Sequence, residues 1–136
     1  MSIKDNKLII FTDGGARGNP GPAAYGVVIY DSKRKLLKKL GKYLGERTNN
    51  EAEYEGVIAG LEAARKMGAK EIEFYLDSQL VVRQLKGIYK VKEPRLQALL
   101  LKVRNLETHF KTVKCHHIPR EKNKLADKLV NQSIEK

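Results

Sequence analysis

Two short apolar runs, each closed by an aspartate and joined through a segment of helical character, constrain this chain most. Leu8-Ile9-Ile10-Phe11 leads into Thr12-Asp13-Gly14-Gly15, and Ile72-Glu73-Phe74-Tyr75-Leu76 leads into Asp77-Ser78. Both runs have strand length, β-branched or aromatic residues, and turn formers at their boundaries. Between them, Thr48-Asn49-Asn50 offers N-caps for a helix from about Glu51 to Met67, and Gly68 supplies its stop. A strand–helix–strand unit of this kind closes as a parallel crossover. The two runs can then lie side by side, with Asp13 and Asp77 both past their carboxyl ends, the edge where open α/β sheets bind ligands.

The other segments fit around that unit. Gly18-Asn19-Pro20-Gly21-Pro22 reads as a rigid turn, and Ala24 to Tyr30 as a second strand. Asp31 to Arg34 is a hairpin loop, followed by a third strand from Leu36 to about Leu44, antiparallel to the second. Ser78 can cap a helix through Leu80 to Leu85 that Gly87 ends. Another helix runs from Arg95 to about Phe110 after Pro94. Lys111 to His116 is expected to be a fifth strand and Glu121 to Ile134 a terminal helix. The chain of 136 residues, 41% of them hydrophobic, is thus expected to form one α/β domain over residues 1–136, a mixed sheet covered by helices.

Geometry thins the 16 acidic residues to a few. At about 100° per residue, Glu53 shares a helix face with Val57, Gly60, Leu61 and Ala64. Glu51, Glu55 and Glu62 are expected on the opposite, solvent side. A carboxylate on a buried face needs a partner. A cation bridging Glu53 to Asp13 and Asp77 would supply it, whereas a Lys or Arg partner would leave the two strand-end aspartates unexplained. Asp127 lies at the edge of the apolar stripe of Ala126, Leu129 and Val130, and its spacing alone does little to single it out. Hard cations such as Mg²⁺ take oxygen ligands, and two of them can clamp both oxygens of a phosphodiester displacement. The net charge of +11, with 27 Lys and Arg against those 16 acids, points to a polyanion as partner. A solvated lysine-rich surface is the plainer account of residues such as Lys33, Arg34 and Lys35.

Other classes recede. No apolar run approaches the ~20 residues of a membrane span, and Met1 to Lys7 shows no secretory pattern. A single cysteine, Cys115, excludes an internal disulfide and fits a reducing, cytoplasmic setting. Consecutive Cys115-His116-His117 point alternately across a strand and lack zinc-ligand spacing.

With these residues in view, four motifs resemble those of type 1 ribonuclease H. They are Thr12-Asp13-Gly14-Gly15 with Gly18-Asn19-Pro20-Gly21; Thr48-Asn49-Asn50-Glu51-Ala52-Glu53; Leu76-Asp77-Ser78-Gln79; and His117 followed ten residues later by Asp127, with Asn123 and Ala126 between. The resemblance implies a ribonuclease H-like fold with a five-stranded sheet in order 3-2-1-4-5. It implies endonucleolytic cleavage of the RNA strand of RNA/DNA hybrids, leaving 5′-phosphate and 3′-hydroxyl ends. The implied ligands of two Mg²⁺ or Mn²⁺ ions are Asp13, Glu53, Asp77 and Asp127. Asn19, Asn49, Asn50 and Gln79 would contact the RNA strand and Thr48 a DNA phosphate. His117 would assist turnover, with Arg120 in the same loop sharing that work. The chain is similar to the compact form, since Lys86 to Arg95 is too short for the basic protruding helix of many bacterial members and no N-terminal hybrid-binding domain precedes the first motif. A monomer without an obligate protein partner is expected. The rival readings are a module that binds nucleic acid without cutting it and an integrase or transposase domain acting on DNA.

Overall fold

The computed structural model describes residues 6–135, so all but the last two residues of the amino-terminal segment Met1 to Lys7 lie outside the described residues. In chain order the elements are β1 (Lys7–Ala16), β2 (Gly21–Asp31), β3 (Leu36–Arg47), α1 (Asn49–Lys66), β4 (Glu71–Leu76), α2 (Gln79–Leu85), α3 (Pro94–Glu107), β5 (Thr112–His117) and α4 (Lys124–Glu135). A 3₁₀ turn, Arg120–Lys122, precedes α4. The sheet order is β3-β2-β1-β4-β5. β1 to β3 form an antiparallel meander, while β4 runs parallel to both β1 and β5. This is the order and mixed pairing that the family resemblance implies.

Alternation assigns the sheet faces. Leu8 and Ile10 of β1, with Ile72, Phe74 and Leu76 of β4, point to the face that α1 covers and are at most 1% exposed. Burying a side chain of this size stabilises the fold by about 1.5–3 kcal/mol. α1 packs on β1 and β2 and is itself overlaid by α3, whereas α4 lies across β2, β3 and β1. Within the core, the Tyr54 hydroxyl donates to Gln84 Oε1 at 2.8 Å, so this buried polar pair is satisfied.

Two departures from the sequence reading shape the site. β1 does not stop before Asp13: its antiparallel pairing with β2 continues to Ala16↔Ala23, because the turn at 17–20 closes a long hairpin with Arg17 N–H on the Pro22 carbonyl. Its parallel pairing with β4 ends earlier, at Phe11↔Tyr75. Asp13 therefore lies inside one ladder and beyond the end of the other, while Asp77 directly follows β4. The last helix begins at Lys124 rather than Glu121, because Asn123 leaves the helical region of backbone space (φ −121°, ψ 31°).

Candidate active site

Gly14 and Gly26 decide how closely the helices approach β1. A Cβ on Gly14 would stand 2.3 Å from the backbone carbon of Ala52, so only glycine lets α1 lie so close to the strand. At that distance the Gly14 N–H reaches Glu53 Oε1, 2.5 Å away, and also meets Asp13 Oδ1 at 3.0 Å. On the other face, Gly26 is the cross-strand partner of Asp13. A Cβ there would stand 2.3 Å from the Ala126 carbonyl oxygen, so α4 settles onto β2 beside Asp13 and brings Asp127 with it. Asp13, Glu53 and Asp77 each offer an oxygen within 4.8 Å of the others. All four acids line one cleft of about 430 Å³.

These charges disfavour one another. Asp13 is pushed up to about 8, first by burial, then by Asp77 and Asp127. Glu53 is raised well above the ordinary carboxylate range by burial, then by Asp13 and Asp77, with the Gly14 N–H opposing. The leading charge effects on both come from other carboxylates, and among the described residues no Lys or Arg pairs with Asp13 or Glu53. Arg120 stands 3.8 Å from Asp127, but its side chain is 81% exposed and solvent screens it. A largely buried set of carboxylate oxygens that repel one another fits a hard divalent cation. A larger groove of about 590 Å³ lies elsewhere, between β5 and α3. Its one carboxylate, Glu107, is already paired with Arg104, so it offers no ligand set.

Glu51 overturns its sequence assignment. It is 6% exposed rather than solvated. Its carboxylate accepts from Thr48 N–H at 2.9 Å, while Thr48 Oγ1 accepts from Glu51 N–H at 3.1 Å, a reciprocal capping box. Arg95 of α3 stands 4.0 Å away. A helical wheel assumes one dry face, whereas α1 lies between the sheet and α3. Glu55 is half-buried and Glu62 exposed.

The residues expected near substrate surround the cleft. Asn49 N–H donates to Asn19 Oδ1 at 2.9 Å, and Ala16 N–H donates to Asn49 Oδ1 at 2.7 Å. These bonds tie the β1–β2 hairpin to the start of α1. Asn50 is half-buried beside Asn49, and Gln79 is exposed on the first residue of α2, two positions after Asp77. Arg120 lines the cleft; His117 is exposed at the end of β5 and is not part of that lining. Cys115 and His116 fall on opposite faces of β5, and His116 meets Glu73 at 2.9 Å. Sequence reasoning missed Arg17, which lines the cleft and pairs with Glu135 at 2.7 Å. It also gave Asn123 no task of its own, although this residue donates to Asp77 Oδ2 at 3.0 Å. A lone polar residue just ahead of a helix was the only local signal.

A family model described as reverse transcriptase-like matches residues 11–133. A bifunctional protein of Mycobacterium tuberculosis is 42% identical over 130 residues, covering 95% of this chain and 36% of its own length. Ribonuclease HI of Halobacterium salinarum is 41% identical over 132 residues, covering 97% of this chain and 66% of that protein. The chain thus spans only about a third of the mycobacterial relative. Among solved structures, LC11-RNase H1 in complex with an RNA/DNA hybrid matches with a TM-score of 0.90 and 48% identity, covering 94% of this chain and 96% of that one.

Proposed function

Because the chain belongs to the type 1 ribonuclease H family, we propose that it is a metal-dependent endonuclease that hydrolyses the RNA strand of RNA/DNA hybrids, leaving 5′-phosphate and 3′-hydroxyl ends. The observation that carries this reading is the convergence of Asp13, Glu53 and Asp77 within 4.8 Å, in a cleft of a chain whose net charge is +11. The basic surface attracts the polyanion, and the acids hold the cations.

Asp13, Glu53, Asp77 and Asp127 are the residues that would hold two Mg²⁺ or Mn²⁺ ions. When bound, such ions activate water and neutralise charge at the leaving oxygen. Gly14 N–H fixes Glu53, and the approach of α4 at Gly26 fixes Asp127 beside Asp13. Asn19 and Asn49 are exposed and have their carbonyl oxygens occupied by backbone N–H groups, so what each can offer a ligand is its NH₂ donors. Such donors suit a 2′-hydroxyl, the group that separates RNA from DNA. Asn50 and Gln79 extend this edge, and Thr48 at the α1 N-terminus suits a DNA-strand phosphate. Arg120 offers a guanidinium at the cleft, and His117, at the end of β5, an imidazole for proton transfer. No described helix is long and apolar enough to cross a membrane. The lone Cys115 allows no internal disulfide, which suits a reducing, cytoplasmic setting.

The test is strand-specific cleavage of end-labelled RNA/DNA, RNA/RNA and DNA/DNA duplexes, with Mg²⁺ and with chelator. Cutting of the hybrid's RNA strand, lost on chelation, is expected. Cleavage of DNA/DNA instead would favour the integrase-like reading, and binding without cleavage the reading as a passive module.

A further inference from the structure

Asn123 is a buried polar residue that the proposed chemistry leaves without a task. It is 1% exposed and sits between the 3₁₀ turn and α4. Its Nδ2 donates to the Thr12 carbonyl at 2.8 Å and to Asp77 Oδ2 at 3.0 Å. Its backbone carbonyl accepts from Asp127 N–H at 3.1 Å. One residue therefore joins the strand position just before Asp13, the carboxylate that follows β4, and the first turn of the helix that carries Asp127.

The amide orientation is not arbitrary. Two oxygens face the same nitrogen, so the reversed amide would set oxygen against oxygen at both contacts. Both N–H donors are then committed, and Oδ1 is buried without a partner. An unpaired buried carbonyl is destabilising, so stability alone does not account for the amide. The donor is also neutral. A Lys or Arg at this place would hold Asp77 equally well but would offset its charge and compete with a cation.

We propose that Asn123 is a positioning residue that fixes Asp77 and the start of α4 against β1, so that the carboxylates hold a divalent cation in one geometry. The proposal rests on the metal-dependent reading above. Partners one step behind metal ligands typically change metal affinity or activity by about 10–100-fold when removed.

Asn123→Ala removes both donors, Asn123→Ser keeps one, and Asn123→Asp replaces donors by acceptors and adds charge. Mg²⁺ and Mn²⁺ binding is measured by calorimetry without hybrid, beside kcat and KM for hybrid cleavage and a thermal melt. The alanine variant should bind Mn²⁺ about 10-fold or more weakly and lose kcat by about 10–100-fold, with hybrid KM little changed. Higher metal concentration should restore part of the rate, the serine variant should fall between alanine and wild type, and aspartate should be worst. Wild-type metal affinity and kcat in the alanine variant would overturn the proposal, as would a raised KM with kcat unchanged. If the alanine variant does not fold, the serine variant decides by the same two readouts. A wild type that binds metal yet cuts no hybrid would sink the functional reading and leave the positioning role standing.

Discussion

Glu51 and Glu53 stand two positions apart on α1 and do different work. Glu51 closes the capping box with Thr48, and Glu53 enters the carboxylate cluster. Glutamine can still serve in a capping box but cannot supply a second negative charge to a cation. Cleavage assays should therefore find Glu53→Gln inactive and Glu51→Gln and Glu55→Gln near normal; an inactive Glu51→Gln beside an active Glu53→Gln would refute the assignment. Asp13 carries a pH prediction. An unfolded aspartate ionises near 3.9, whereas burial and its acidic neighbours move Asp13 to about 8. Between those values the folded state binds more protons than the unfolded one, so stability without metal is fully present at low pH and falls as pH rises through this window. Thermal melts in chelator should show the fall, and Asp13→Asn should flatten it while abolishing cleavage. A metal-free melting temperature that climbs from pH 5 to pH 8 would contradict this, as would a variant with the wild-type slope.

At the level of elements, the site depends on how near α1 and α4 come to the sheet. Gly26 has no room for a methyl group, because the obstacle is the backbone of Ala126 rather than a flexible side chain. Gly26→Ala should push α4 outward, cost about 1–3 kcal/mol in denaturant unfolding, and lower activity by shifting Asp127 from Asp13. A variant with wild-type stability and rate would show that α4 has slack. The short segment between α2 and α3 still brings Arg95 to the start of α1, 4.0 Å from Glu51, with exposed Lys90 and Lys92 nearby in sequence. These cations occupy the place where the resemblance leads one to expect a longer basic helix.

Over the whole molecule, the +11 charge is the long-range term. Each phosphate contact should steepen the log–log dependence of hybrid affinity on salt by about one unit. Binding measured from low to moderate salt should show a slope of several units, and a slope near zero would mean that the basic surface does not hold substrate. The β2–β3 hairpin can be tested separately. Arg34 packs over the Phe11 and Tyr75 rings, 5.9 and 5.7 Å from their centroids, so part of its role is in the fold. Lys33 and Lys35 are exposed, and reversing their charge gives the cleaner probe. Unchanged affinity would return this hairpin to a solvated surface.

The sequence by itself determined the features that depend on a few neighbouring residues. The apolar runs ending near Asp13 and Asp77, the alternation along β4 and the capping run at Thr48 each follow from backbone geometry over one or two turns. Glu53 was legible for the same reason, since helical phase sets it beside Val57 and Leu61. The four motifs in order added Asp127 by resemblance. Tertiary structure decided the rest. Asp127 reaches Asp13 because glycine at position 26 admits α4. Glu51 is buried because α3 lies over a helix that, viewed alone, has a wet side. Arg120 lines the cleft and His117 does not, which their shared loop could not reveal. Asn123 bridges Thr12 and Asp77, residues far from it in the chain. Each of these depends on how closely separate elements pack, and local periodicity carries no measure of that distance.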